Sequence, residues 1–395
     1  MYRMLPPYSA SERLKTAMSV RQNRVAFLTT ADKIGGMERI TCGLSREFVK
    51  RGWAVRTVFP QTSRQSSLLQ WCRDQGVSAE ANPALLDAAA PHRWSDSRNL
   101  RRFIQKCAPD IVNLHYGDNF ISLKDILAVR LAGRHRCVVS VHHPTSWKDT
   151  RAKKRILTRL SALIAHDITT FSRATFTVLQ EAGIPTSKIH VIPCGLRPPQ
   201  HLPNKSEART RLGLPPTAFV IGCLARLEPH KGISDLIEAV SMLPNPHGDL
   251  LLAIAGDGSE RSNLLSLAAD RGKNRTLLLG RIPDVDDFFA ACDIFALPSH
   301  LEGFGLVYVE AAFHGIPSVG TTAGGIPDAV IDSETGLLVS VGDVHALAAS
   351  IERLHHDATL RTRLGQAAQT RAHSDLTETS MADRFEQLFI NRTPS

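Results

Sequence analysis

The chain has 395 residues, 43% of them hydrophobic, enough for two sizeable cores, and no apolar run approaches the roughly 18 residues of a membrane span. Its net charge of +9 divides unevenly: residues 1 to 200 hold 31 Lys or Arg against 14 Asp or Glu, whereas 201 to 395 hold 16 against 24. Only 6% of residues are aromatic and the basic half has neither a stacking stripe nor a zinc-finger spacing, which excludes a nucleic-acid partner, while seven scattered cysteines without a C-x-x-C pair suggest reduced thiols in a cytosol.

Residues 1–22 carry Arg3, Arg13, Lys15 and Arg21 but lack the roughly 7 to 15 residue apolar core of a secretory signal, so a disordered leader or a misassigned start is expected. Arg24 to Thr29 reads as a strand, Gly35 and Gly36 as a turn opening a helix to about Arg51, and Trp53 to Phe59 as the next strand. Asp110 to His115 and Cys137 to His143 are apolar strands ending in histidine. Arg151, Lys153, Lys154, Arg155 and Arg159 follow Trp147 and interleave with Ile156, Leu157, Leu160, Leu163 and Ile164 at helical spacing. Ile189 to Gly195 enters a Pro- and Gly-containing linker, and a second run of alternating strands and helices begins with Phe219 to Leu224. In that run Arg226 and Lys231 stand at the opening of a helix expected from about Lys231 to Leu243, and Leu250 to Gly258 and Thr276 to Ile282 are further strands. Strands alternating with helices imply parallel, doubly wound sheets, whose ligands sit at the carboxyl ends of the strands.

The most informative stretch is Asp293 to Asp328. An apolar strand to Pro298 is broken by Gly303-Phe304-Gly305, and Leu306 to His314 has a helix-forming composition. A strand feeding a helix through such a turn leaves the amides of Phe304, Gly305 and Leu306 unpaired, with the positive end of the helix dipole behind them, and a phosphate or diphosphate belongs there. Glu302 and Glu310, beside that diphosphate, would accept hydrogen bonds from adjacent sugar hydroxyls. Arg226 and Lys231 are suited to neutralise the diphosphate and its departing charge.

These residues resemble the E-x7-E signature of the retaining family 4 glycosyltransferases of GT-B fold. The resemblance covers about residues 24 to 390. It implies two Rossmann-like domains facing across a cleft: a leader (1–22), an acceptor domain (23–196), a linker (197–213), a nucleotide-sugar domain (214–375) and a C-terminal helix crossing back (376–395). By the same resemblance Glu310 holds the donor ribose, Glu302 contacts the transferred sugar, residues 303 to 306 and the Arg226/Lys231 clamp contact the diphosphate, and the backbone at Ile282 reads the base. Gly35-Gly36-Met37-Glu38-Arg39 matches the family's first loop, where acceptor and donor phosphate meet, and His142 matches its Thr-Val-His pattern beside the reacting sugar. His115 and His143 read as structural. At Cys194-Gly-Leu-Arg197 and Asp328 the chain departs from the family pattern, which affects the linker and a local loop.

No metal or other cofactor is expected. Asp284-Val-Asp286 has the spacing of a metal triplet in a different transferase fold, but acidic residues in a first helical turn are favoured by the dipole, so it reads as a helix start. The expected activity is transfer of a hexosyl unit from a UDP- or GDP-type sugar to a glycan or lipid-linked acceptor, in polysaccharide or lipopolysaccharide assembly. The basic helix at 151 to 164 suggests a cytoplasmic enzyme, peripheral on an anionic membrane face. The alternative is a GT-B relative that binds nucleotide-sugar without transfer, either epimerase-like or an inactive regulatory subunit.

Overall fold

The structure is a computed structural model and describes residues 22–30, 34–62, 65–83, 85, 94–118, 120–144, 152–244, 248–271 and 275–390, with backbone alone at 94, 95 and 153. The leader, apart from Gln22, lies outside these residues, as do Trp147 and Arg151. The chain divides into two compact units, residues 1–197 with 377–395, and residues 198–376.

Unit 1 runs β1 (Arg24–Thr29), α1 (Gly36–Lys50), β2 (Ala54–Pro60), α2 (Gln65–Asp74), β3 (Ala79–Asn82), α3 (Trp94–Cys107), β4 (Ile111–Tyr116), α4 (Leu123–Ala132), β5 (Arg136–Val141), α5 (Ala152–Ile164), β6 (Asp167–Thr170), α6 (Arg173–Glu181) and β7 (Ile189–Val191). Its strands form one parallel sheet in the order β3-β2-β1-β4-β5-β6-β7. β4 and β5 are buried at every position, as a strand covered on both faces must be. The core joins Leu28, Val112, Leu114, Val139 and Ile168 of the sheet to Leu100, Ile104, Ile126 and Val129 of the helices. At the amino ends of the strands charge is paired: Arg24 with Asp110 at 3.3 Å, and Arg136 with Asp167 at 2.6 Å. Cys42 of α1 and Cys72 of α2, distant in sequence, bring their sulfurs to 3.4 Å.

Unit 2 runs α7 (Lys205–Arg211), β8 (Phe219–Leu224), α8 (Ile233–Met242), β9 (Leu250–Ala255), α9 (Arg261–Arg271), β10 (Thr276–Gly280), α10 (Val285–Ala291), β11 (Ile294–Ala296), α11 (Leu306–Phe313), β12 (Ser318–Thr321), α12 (Ile326–Ala329), β13 (Gly336–Val339), α13 (Val344–His356) and α14 (Ala358–Asp375). The sheet order is β10-β9-β8-β11-β12-β13, again all parallel. The stretch 197–213 is not an open linker. Asn204 caps α7 through the amide of Ser206, and Arg209 ties the helix down by donating to the Ala291 carbonyl at 3.0 Å and pairing with Asp293 at 2.8 Å. Residues 204 to 213 are therefore held within unit 2, because Arg209, almost fully buried, meets a carboxylate that the Pro- and Gly-rich composition does not reveal.

The final helix, α15 (Glu378–Ile390), belongs to unit 1. Phe389 packs 5.5 Å from the Phe48 ring, Arg46 and Arg51 of α1 and its end pair with Glu378, Asp383 and Glu386, and the Trp53 indole donates to Glu386. The chain leaves and re-enters the unit along one seam, where the Glu378 amide donates to the Leu196 carbonyl at 2.9 Å.

Candidate active site

In each sheet the strand order reverses once, between β1 and β4 in unit 1 and between β8 and β11 in unit 2. Loops on either side of such a reversal part, and ligands of doubly wound sheets sit there, at the carboxyl ends of the strands.

In unit 2 the loop after β8 carries Arg226 and Lys231, and the loop after β11 carries Ser299 and Glu302. Lys231 Nζ lies 2.6 Å from Glu302 Oε1, both side chains being 13% exposed, and the Ser299 hydroxyl donates to the same oxygen at 3.2 Å. The expected helix from Lys231 begins later. Residues 229 to 231 form a single 3-10 turn, and Gly232 is left-handed at φ +64 before α8 starts at Ile233. Glycine is required there because a Cβ would fall 2.1 Å from the Pro298 carbonyl oxygen, so the two loops meet backbone to backbone, and the His300 amide donates to the His230 carbonyl at 2.8 Å. On the other side Gly324, at φ +51, lets the loop after β12 press on the Glu302 carbonyl, which accepts from the Gly325 amide at 3.0 Å. Glu302 is thus clamped through its backbone as well as its side chain. Ser299, Gly324 and the His300–Asp235 contact at 2.7 Å carry no role in the sequence reading. Their only sequence signal is adjacency to the Gly-rich turns.

Gly303, Phe304 and Gly305 follow in a buried turn, and Gly305 at φ +90 is the N-cap of α11. Among the described residues the amides of Phe304, Gly305 and Leu306 make no hydrogen bond, so three donors gather at the helix start. Arg226 is exposed and has no carboxylate partner among the described residues, unlike Lys231. Glu310 lies within α11 and is near enough to α10 for its charge to act there: burial first, then Asp284, Glu310 and Asp287, raise the Asp286 carboxyl against the opposing pull of His314. Asp284 caps α10, accepting from the Asp286 amide at 2.8 Å. Ile282 sits in the loop after the edge strand β10, half-buried, beside the exposed Arg281. Among the described residues no three His, Cys, Asp or Glu side chains gather in a way that would hold a metal ion.

In unit 1, Gly35 and Gly36 open α1 just beyond β1, both exposed, and Gly35 is extended rather than left-handed. His115 is the penultimate residue of β4 and is fully buried; His142 lies one residue beyond β5 and is half-buried. Their rings share a hydrogen bond, His115 Nδ1 to His142 Nε2, of 2.9 Å. The His142 ring stacks 4.4 Å from Phe171, whose other neighbour is Phe385 of α15. Burial, and then the nearby His115 and His143, push His142 well below the usual imidazole range, and burial pushes His115 down to about 3. Both rings are neutral near pH 7.

Two parallel doubly wound units with ligand-type loops at both reversals are the architecture of the GT-B fold. Against solved structures the fold agrees over nearly the whole chain with Anabaena HepE in complex with UDP (TM-score 0.80, 23% identity, 93% of this chain and 100% of that one) and with a glycosyltransferase from Rickettsia africae (TM-score 0.79, 18% identity, 94% and 99%). Residues 204–371 match the family described as Glycosyl transferases group 1 and residues 34–198 the one described as Glycosyltransferase Family 4. The GDP-mannose-dependent monoacylated alpha-(1-6)-phosphatidylinositol monomannoside mannosyltransferase of Corynebacterium glutamicum is 30% identical over 272 residues, which span 65% of this chain and 70% of that protein. The GDP-mannose-dependent alpha-(1-6)-phosphatidylinositol monomannoside mannosyltransferase of Mycolicibacterium smegmatis is 32% identical over 255 residues, 61% and 66% of the two chains. The chain belongs to the family 4 glycosyltransferases.

Proposed function

We propose that the chain moves a hexosyl unit from a nucleoside diphosphate-sugar to a glycan or lipid-linked acceptor, with retention at the anomeric carbon and without a metal ion. The observation that carries this reading is the Lys231–Glu302 pair on the loop that also offers the amides of 304 to 306. Arg226, Lys231 and those amides would neutralise the diphosphate as negative charge grows on it, taking the part a divalent cation plays elsewhere. Glu302 would accept from hydroxyls of the transferred sugar, Glu310 from the ribose, and the backbone at Ile282 would meet the base. In unit 1, Gly35, Gly36 and a neutral His142 would face the acceptor and the reacting sugar. The relatives named for GDP-mannose and phosphatidylinositol, and HepE, crystallised with UDP, support a sugar donor of this type and a lipid-linked acceptor.

An acceptor of that kind lies at a membrane, and α5 supplies a surface for it. Ile156, Leu160 and Leu163, at i, i+4 and i+7, are 60%, 44% and 44% exposed, and Lys154, Arg155 and Arg159 are exposed beside them. We assign this stripe to reversible attachment at an anionic, cytoplasmic membrane face, each basic residue contributing about 1 kcal/mol. No helix among the described residues is long and apolar enough to cross a membrane. Co-sedimentation with phosphatidylglycerol vesicles should exceed that with phosphatidylcholine alone, and should fall when Ile156 and Leu160 become serine. Equal recovery with both vesicles would overturn the attachment.

The donor is tested by titrating purified protein with UDP-, GDP- and ADP-sugars, following thermal stabilisation and release of nucleoside diphosphate with and without EDTA. One donor should stabilise the protein and be slowly hydrolysed, unchanged by EDTA. An isomerised sugar without release would favour an epimerase-like enzyme, and stabilisation without any product, even with glycan or lipid acceptors, a regulatory subunit.

A further inference from the structure

We propose that His115 fixes the tautomer of His142, so that His142 carries its proton on Nδ1 and meets its ligand as a hydrogen-bond donor rather than as a base. The inference rests on the reading that His142 contacts a ligand, and adds to it the direction of the bond and the residue that sets it.

Two neutral imidazoles can share the 2.9 Å contact between His115 Nδ1 and His142 Nε2 in either of two ways. The other nitrogen of His115 decides between them. His115 Nε2 is buried and has no hydrogen-bond partner among the described residues. If His142 donated through Nε2, His115 would accept at Nδ1 and hold its own proton on Nε2, as a buried N–H without an acceptor among the described residues. If His115 donates through Nδ1, only a lone pair goes unfilled at Nε2. Orphaned buried N–H groups are the rarer and more costly case, so the second arrangement is favoured. It leaves His142 protonated on Nδ1 with its Nε2 lone pair occupied.

The surroundings hold that choice in place. The His142 backbone amide donates to the Tyr116 carbonyl at 3.0 Å, and Phe171, backed by Phe385, restrains the ring. A second proton on either ring would place a cation in a buried site that already holds another imidazole. His142 therefore has a donor for a sugar hydroxyl or a phosphate oxygen, and no lone pair to take up a proton until its bond to His115 breaks. His115 is a positioning residue, acting through His142.

Long-range 1H–15N correlation spectra of the full chain labelled at histidine test this directly, with the two rings identified by loss of their signals in His142→Asn and His115→Asn. Both rings should be protonated on Nδ1 and bare at Nε2; a proton on His142 Nε2 would overturn the inference. In turnover, His115→Asn keeps an N–H at the Nδ1 position and should retain most activity. His115→Phe should lower kcat roughly ten- to a hundredfold with little change in the donor KM, and should add a pH dependence as His142 regains a free lone pair. A folded His115→Phe enzyme with the parent's pH profile and His142 tautomer would also refute it. The spectra need neither donor nor turnover. A protein that transfers nothing would thus undo the proposed function alone, whereas an active enzyme with His142 protonated on Nε2 would undo only this inference.

Discussion

At the reversal of the unit 2 sheet a lysine and a glutamate share a contact of 2.6 Å, and at the carboxyl ends of β4 and β5, beside the reversal of the unit 1 sheet, two imidazoles share one of 2.9 Å. The topology is the same and the electrostatics are opposite. In unit 2 the charged pair is partly exposed and sits on backbone turns, where a diphosphate can join it with its own charge compensated. In unit 1 the His115 ring, near the end of β4, is sealed in the core, so it is tolerated only as a neutral group. Unit 1 does hold buried charge, in pairs such as Arg136–Asp167 at the amino ends of its strands and Arg46–Glu378 between its helices, and in Glu38 at the start of α1. Under the proposed function the difference is a division of labour: unit 2 would manage the charge of the donor, while unit 1 would offer a neutral hydrogen-bonding group.

The largest test of that contrast is Lys231→Ala, which should lower kcat roughly a hundred- to a thousandfold and the donor dissociation constant far less, since the developing charge is met mainly in the transition state. Equal losses in both would place Lys231 in ground-state binding only. Gly324→Ala puts a Cβ 2.1 Å from the Glu302 carbonyl at a left-handed φ, and should destabilise the protein by about 2 to 3 kcal/mol. Thermal or urea unfolding would show it, and a neutral result would mean that the loop after β12 does not clamp Glu302. If Glu310 bonds the ribose, Glu310→Ala should weaken donor binding by about 1.5 to 3 kcal/mol, roughly ten- to a hundredfold, and calorimetric titration would read it.

The smallest effect lies in unit 1. Burial tends to raise the Asp167 carboxyl, but hydrogen bonds from His190 and Arg136 and their charges outweigh it and hold it down to about 2. A carboxyl lowered on folding stabilises the native state above its unfolded value of about 3.9 and loses that contribution as pH falls toward 2, here about 2 kcal/mol. Asp167→Asn should flatten that acid limb in urea melts taken across the range. An unchanged limb would show that the amino-end charges of unit 1 do not carry its acid stability.

Much of this is legible in the sequence because it is local. Apolar runs ending in glycine turns are set by backbone hydrogen bonding and side-chain period, so β8, β9 and β11, the turn at 303 to 305 and the acidic start at Asp284 could be placed from neighbours a few residues away. The motif residues Arg226, Lys231, Glu302 and Glu310 could be singled out, and the family with them. Where the structure differs, a distant partner intervenes: α7 is drawn from the expected linker onto unit 2 by the Arg209–Asp293 pair, and the start of α8 is set at Ile233 because another loop's carbonyl needs the space at Gly232.

The sequence by itself determined the alternating elements, the two parallel sheets they imply and the residue types at their carboxyl ends. Tertiary structure decided which of those residues meet. Lys231 and Glu302 are 71 positions apart and His115 and His142 are 27 apart, and each pair is joined across strands that a crossover makes neighbours. Direction and protonation followed at the same level. The proton of an imidazole is placed by whatever faces its second nitrogen, and for His115 that is packed core in which no described residue accepts from it.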